Sequence, residues 1–301
     1  MTNKRYFILN MYIITTYIIF IYFLSQIYRK YMSETNYFLR VPKEIEIVNL
    51  GSSHGMAGIK YPKEINGYNL ALNSQTMYYD LKILQKYKNN IKKDGIVIIP
   101  ISIFSFYGLE DIDNNKYYNF LNYKDIENGK KNIDFLYKNF YIFYNGRILP
   151  GTIKFVIKSL INKKFDYQYY ELKEKKWEEK DLINEAIETG KKHLAIKEVN
   201  ISFVKEILDF CDNNNLKSVL VTTPQSYLYN NIIGEKNYQE RIYDIIALLQ
   251  KEKDFIYLDY SHDKRFEREM ELFYDDDHLN KKGANLFTKI LLDDINKKLT
   301  K

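Results

Sequence analysis

The sequence predicts an α/β chain: a three-layer α/β/α sandwich on a mainly parallel sheet, with an N-terminal transmembrane helix and a mostly helical insertion. Three observations predict it. Strands and helices alternate over residues 44–108 and 200–299, the rhythm of a parallel sheet with crossover helices. Residues 6–27 are an apolar run without charge or proline, long enough for a hydrocarbon layer of roughly 30 Å. From about Leu109 to Asn200 the chain turns to Tyr, Lys, Asn and Glu, and its apolar spacing loses regularity. The expected organisation is an anchor over 1–28, a polar stalk over 29–43, and an α/β domain over 44–301 that carries 109–200 as an insertion.

The 301 residues are 46% hydrophobic, enough for a sizeable core and too apolar for general disorder. The net charge of +6 comes from scattered lysines and not from an arginine-rich tract, which points away from a nucleic-acid partner. A single cysteine, Cys211, excludes an internal disulfide and a cysteine-rich zinc site.

In chain order, Tyr6–Ile27 reads as an uncleaved anchor. A signal peptide would close on small residues, which Leu24–Lys30 lacks, and a buried helix of this length would carry a polar face. Lys4 and Arg5 before the run and Arg29 and Lys30 after it leave the orientation open. Glu44–Leu50 alternates polar and apolar residues and is a strand, ended by Gly51. His54–Ile65 is a loop or short helix interrupted by Pro62, and Tyr68–Leu72 is a second strand. Thr76 is placed to cap a helix from Met77 to about Asn90, and Gly95–Pro100 is a strand covered on both faces. Gln168–Thr189 reads as a charged, solvated helix, and His193 as a surface residue in a similar one. Ser202–Asn213 is amphipathic, with Cys211 beside its apolar positions. Ser218–Thr223 is a buried strand stopped by Pro224. Tyr238–Lys251 is a helix, Phe255–Asp259 a strand, and Asn280 caps a last helix to about Lys298. Functional loops of such sheets leave the carboxyl ends of the strands, so Ser53, Asn73, Pro100 and Thr223 should share one rim.

Two short stretches carry the chemistry. Gly51-Ser52-Ser53-His54 puts a serine on the turn leaving the first strand, where glycine lets the backbone bend. Asp275-Asp276-Asp277-His278-Leu279-Asn280 puts a carboxylate three residues before a histidine, close enough to turn back to the ring through a tight loop. A serine hydroxyl needs a base to take its proton, and an imidazole needs an acceptor on its other nitrogen. Asp276 and Asp277 are less well placed on spacing alone. The three carboxylates could serve calcium instead, but they lack the spacing of the common calcium loop. Ser52 reads as a turn residue, His54 as pointing away from the serine, and His262 as a surface loop residue near the same rim.

The two stretches resemble the SGNH (GDSL-type) hydrolase superfamily, whose nucleophile follows the first strand and whose Asp-x-x-His block precedes the last helix. The resemblance covers 44–108 and 200–299 and implies a flavodoxin-like sandwich. It implies Ser53 as nucleophile, His278 as base and Asp275 as the group orienting it, with no metal or organic cofactor. The Gly-Ser-Ser variant and the anchor make the chain look closer to DltD-like and polysaccharide-modifying branches. That implies a single-pass cell-membrane protein with its body outside the cytoplasm, an ester bond as target, and an envelope glycopolymer or acyl-donor protein as partner, beside the bilayer met by residues 6–27. Two blocks depart from the family. Leu72-Asn73-Ser74-Gln75 lacks its glycine and Pro100-Ile101-Ser102-Ile103 lacks its asparagine, leaving Asn73, Ser74 and Ser102 as oxyanion-hole candidates. Losing one such donor raises a barrier by about 2.7–4 kcal/mol. The competing expectation is a non-catalytic envelope assembly or glycan-binding protein on the same fold. Phosphoryl transfer is disfavoured because no glycine-rich phosphate loop is present.

Overall fold

The computed structural model describes residues 3–107, 113–164, 179–194 and 201–300, and it divides into two units, Met1–Arg40 with Asp113–Tyr170 and Val41–Ile112 with Glu171–Lys301.

The second unit holds the sheet. Its strands are β1 (Ile45–Asn49), β2 (Gly67–Asn69), β3 (Ile91–Ile101), β4 (Lys217–Thr222) and β5 (Ile256–Asp259). They lie in the order β2-β1-β3-β4-β5, and every pair is parallel. Adjacent residues of β1, β3 and β4 are buried whichever way they point: Ile47 and Val48, Val97 and Ile98, Val219 and Leu220. Both faces are therefore covered, and the unit is the expected three-layer sandwich. On one face, α11 (Lys281–Leu299) sets Phe287, Leu291 and Ile295 against Ile47, Ile98, Val219 and Val221. The short α2 (Ser53–Gly58) belongs with it. Right-handed crossovers send α3 (Met77–Tyr87) and α7 (Ser202–Asn213), which pack on each other, to the opposite layer. Cys211 is buried on α7, as its spacing indicates.

Most boundaries fall where the sequence puts them. Asn280 caps α11, its side chain accepting from the backbone N–H groups of Lys282 and Gly283. Thr76 precedes α3 but makes no side-chain cap. β3 begins earlier than expected, with an irregular register opposite Ile45 and Ile47. The helix expected over Tyr238–Lys251 is broken and starts earlier. It comprises α8 (Tyr227–Ile233), α9 (Glu235–Tyr238), a π-helical turn over Gln239–Tyr243 and α10 (Asp244–Leu249), with Gly234 at φ 73° parting the first two. Residues 165–178 and 195–200 lie outside the described residues. Within the expected solvated helix, α6 (Glu179–Leu194) keeps its charges outward yet buries Leu182 and Ala186 against Leu228 of α8. The side chain of His193 lies outside the described residues.

The first unit is helical. α1 (Asn3–Ile27) continues into a π-helical turn over Tyr28–Met32, and the helix from Lys4 to Met32, with an 18-residue window of mean hydropathy 2.0, is long and apolar enough to cross a membrane. Where a polar stalk is expected, the chain is packed. Ser33, Thr35, Asn36 and Phe38 are buried, and the Phe38 ring stacks on Phe120 at 3.9 Å. The expected insertion supplies α4 (Lys131–Tyr144) and α5 (Leu149–Ile161) to this unit, while α6 belongs to the other. α4 breaks at Phe140, whose φ of −136° and ψ of 42° are not helical. Polar groups of α1 meet the backbone freed there. Ser25 Oγ accepts from the Ile142 N–H at 3.2 Å, and Gln26 Nε2 and Arg29 Nη1 both donate to the Lys138 carbonyl.

Candidate active site

β1 delivers its last residue, Asn49, opposite Asn69 of β2. Gly51 then turns the chain at φ 108°, and a β-carbon there would meet the Pro100 ring at 3.0 Å. Both facts call for glycine. The turn is held from two sides. Asp80 of α3, fully buried, accepts from the Gly51 N–H at 2.8 Å and from Gln75 Nε2 at 2.6 Å. Asn69 accepts from Asn49 Nδ2 at 2.9 Å and donates to the carbonyls of Gly55 at 3.0 Å and Ile59 at 2.9 Å. These two asparagines tie the end of α2 to the strand ends, and so fix Ser53 and His54 at its start. Burial pushes the Asp80 carboxyl up to about 6, against the pull of its two hydrogen bonds. A small open pocket beside the turn is lined by Ser52, Gln75, Asp80, Pro100, Phe104 and Tyr107.

The second half of the site is a closed loop before α11. The Tyr274 N–H donates to the His278 carbonyl at 2.7 Å, and Phe273 bridges Leu279 antiparallel. Inside it Asp275 Oδ1 accepts from the backbone N–H groups of Asp277 and His278, which turns its carboxylate onto the ring. The Asp275 oxygens lie 2.9 and 3.0 Å from His278 Nδ1. Asp277 Oδ1 is nearer still, at 2.6 Å, and its other oxygen is 3.3 Å from His54 Nε2. Burial works against charge on His278, but Asp277 and Asp275 outweigh it and hold the imidazole well above the ordinary histidine range. Burial likewise opposes charge on Asp277, and the two histidines overcome it and keep the carboxyl well below its usual value. Burial together with the neighbouring Asp277 and Asp275 pushes the Asp276 carboxyl up to about 8.

The two halves meet through His54. Its ring stacks on His278 with centroids 4.6 Å apart and planes within 12°, and Phe104 packs on it at 5.7 Å. His54 is buried and stands against both Asp277 and His278, a place that its position beside Ser53 in the sequence does not announce. Ser53, one residue before it, is the first residue of α2. His278 Nε2 is buried and has no hydrogen-bond partner among the described residues, so the Ser53 hydroxyl is not bonded to it in this state. The oxyanion-hole candidates differ in their surroundings. Asn73 and Ser74 are exposed, and the Ser102 N–H and hydroxyl are engaged with Ser105 Oγ at 2.8 and 3.1 Å. His262 lies between Glu235 and Glu267, each at 3.6 Å.

Among the described residues, two groups, His54 with Asp277 and His278 and the three consecutive aspartates, hold ligand-type atoms within 4.8 Å of one another. A metal lies in the plane of an imidazole that binds it, and near-parallel stacked rings do not share such a point, so the first group suits proton exchange better than metal binding. Sequence reasoning set Asp277 and His54 aside and missed Asp80 and the Asn49–Asn69 pair. The signal for the last was two asparagines at consecutive strand ends.

No protein-family model matches the chain, and no curated protein matches it. Among solved structures it is similar to a provisionally named acylhydrolase from Bacteroides fragilis NCTC 9343, at 12% identity and a TM-score of 0.43 over 90% of this chain and 98% of that one. It is also similar to a GDSL-like lipase from Bacteroides thetaiotaomicron VPI-5482, at 11% identity and a TM-score of 0.42 over 91% and 99%.

Proposed function

We propose that the chain is a serine esterase or acyltransferase of SGNH type, tethered to a membrane by α1. The observation that carries this reading is the state of His278. Carboxylates occupy its Nδ1, its Nε2 is unpartnered, and its ring stacks on the residue that follows Ser53. Ser53 Oγ attacks the ester carbonyl while His278 Nε2 takes its proton. The imidazolium returns that proton to the departing alcohol, leaving an acyl-serine. A water or a sugar hydroxyl then attacks the acyl carbon with His278 again as base, releasing the acid or a new ester. Asp275 holds the tautomer and Asp277 shares the imidazolium charge. With Asn73 and Ser74 exposed and Ser102 engaged by Ser105, the backbone N–H of Ser53 is the first oxyanion donor in this reading. The likeness to DltD-like branches supports an envelope glycopolymer as acceptor and the outer face as location.

Reaction of the full chain in detergent with a fluorophosphonate probe tests this reading. Labelling of wild type and none of Ser53→Ala is expected. A folded wild type that takes no label overturns it in favour of a non-catalytic glycan-binding or assembly role, the second reading, which the engagement of Ser102 with Ser105 favours.

A further inference from the structure

The first unit wears its polarity inside out. On α5 the residues with least exposure are small and polar, Thr152 at 0% and Ser159 at 5%. Three large apolar ones face outward, with Ile157 53%, Leu160 63% and Ile161 74% exposed, while Leu149, Phe155 and Val156 are half-buried on the other side. Lys154 and Lys158, also exposed, flank that stripe one helical step away, and Lys163 and Lys164 follow it. On α4, Phe135 and Phe143 are more than half exposed. A helix in water does the reverse, burying its apolar stripe. A helix in lipid pairs through small residues and leaves its large apolar side chains outside.

Position supplies the second argument. Ile142, Ile148, Leu149 and Val156 pack against Ile21 and Leu24 of α1, and the Phe143 ring lies 6.2 Å from Tyr17. Tyr17 is about 15 Å along the axis from the end of α1, about half the thickness of a hydrocarbon layer. Elements that touch α1 this far into its apolar run share whatever surrounds it. The freed backbone at the α4 kink is met by Ser25, Gln26 and Arg29 and not left to solvent, as lipid demands.

We propose that α4 and α5 are seated in one leaflet of a lipid bilayer beside α1, with Ile157, Leu160 and Ile161 against acyl chains and Lys154 and Lys158 at anionic headgroups. This rests on the reading of α1 as a span, and the test separates the two. The full chain is reconstituted in vesicles of phosphatidylcholine and phosphatidylglycerol containing a doxyl-quencher lipid. A thiol-reactive fluorophore is placed at Ile157→Cys, Ile161→Cys, Ile14→Cys within α1, or Lys236→Cys in the sheet-bearing unit; the native Cys211 is buried and does not compete. Quenching at 157 and 161 comparable to that at 14, with none at 236, is expected. Quenching at 14 alone overturns the proposal and leaves the span intact, as does a disulfide-linked dimer through position 157, which would make the occupant a second copy. No quenching at 14 overturns both. Lys154→Glu with Lys158→Glu should reduce quenching at 161 in the mixed vesicles and not in phosphatidylcholine alone; equal quenching in the two overturns the headgroup contact.

Discussion

In the sheet-bearing unit the residues with no exposed surface include Val48, Val97, Ile98, Val219 and Leu220, and the polar groups buried among them are held in pairs such as Asn49 with Asn69 and Asp80 with Gln75. In the helical unit Tyr117, Ile21, Leu121 and Phe38 are buried, but so are the small polar Ser25, Thr152 and Ser159, while the large apolar Phe7, Tyr12, Ile157 and Ile161 are exposed. One chain thus follows two burial rules. In water the apolar side chain hides and the buried polar group needs a partner. In lipid the apolar side chain has nothing to hide from, and only the polar group still does. On the account proposed here, the difference marks which part of the chain is solvated by which medium.

Several changes sharpen that contrast. The largest effect is expected at Arg29, whose guanidinium serves the Lys138 carbonyl and both oxygens of Asn119. Arg29→Ala takes its charged donor from both Asn119 oxygens and leaves the Lys138 carbonyl with Gln26 alone, and should cost about 2–3 kcal/mol, read as earlier denaturant unfolding of the chain in detergent, with ester turnover per folded molecule unchanged. Asn69→Ala should do the opposite. It costs about 1–2 kcal/mol in the sheet-bearing unit and lowers turnover more than stability, because α2 loses its ties to β1 and β2. If both variants lose stability and activity in proportion, the division between the regions fails.

Next comes the pH profile. His278 is held protonated by Asp277 and Asp275, and a protonated imidazole cannot act as base, so kcat/KM should climb through an apparent pKa well above 6.5. Asp277→Asn removes one of the two charges and should move that limb downward. A limb that stays put would show that Asp277 does not act on the ring. The smallest effect is expected at Asp80. Its folded-state pKa of about 6 exceeds its ordinary 3.8, so the folded chain holds a proton that the unfolded chain gives up. Stability from this group is therefore full below about pH 4, falls as pH rises towards 6, and stays reduced above. Asp80→Asn keeps an acceptor for Gly51 and removes the ionisation. It should gain about 1 kcal/mol at pH 8 and nothing at pH 4 in thermal unfolding scans.

The strand cores, α11 with its Asn280 cap and the apolar run of α1 were legible because each is written locally, as a period of two, a period near 3.6 or an unbroken apolar length. The Asp275-x-x-His278 spacing was legible for the same reason. What the sequence hid is non-local. Nothing in residues 33–38 announces that they pack against Asn119 and Phe120, so they read as a stalk. His54 was misjudged because its direction depends on the first turn of a six-residue helix, which has no pattern to read. Asp277 was passed over because sequence spacing measures reach along the loop, whereas the loop folds its carboxylate between two histidines. α5 was recorded only as an irregular stretch. Its regularity appears once the outward face, and not the inward one, is taken as the apolar side.

The central claim is that Ser53 carries the acyl group, and one measurement addresses it directly. The full chain in detergent is mixed with an activated acetyl ester at alkaline pH, quenched in acid, digested with trypsin and weighed by mass spectrometry. The peptide between Lys43 and Lys60 should gain the mass of one acetyl group in wild type and in Ser52→Ala, and none in Ser53→Ala or His278→Ala. An unmodified 44–60 peptide in wild type, or an acetyl group on Ser52 with Ser53 untouched, would contradict the account.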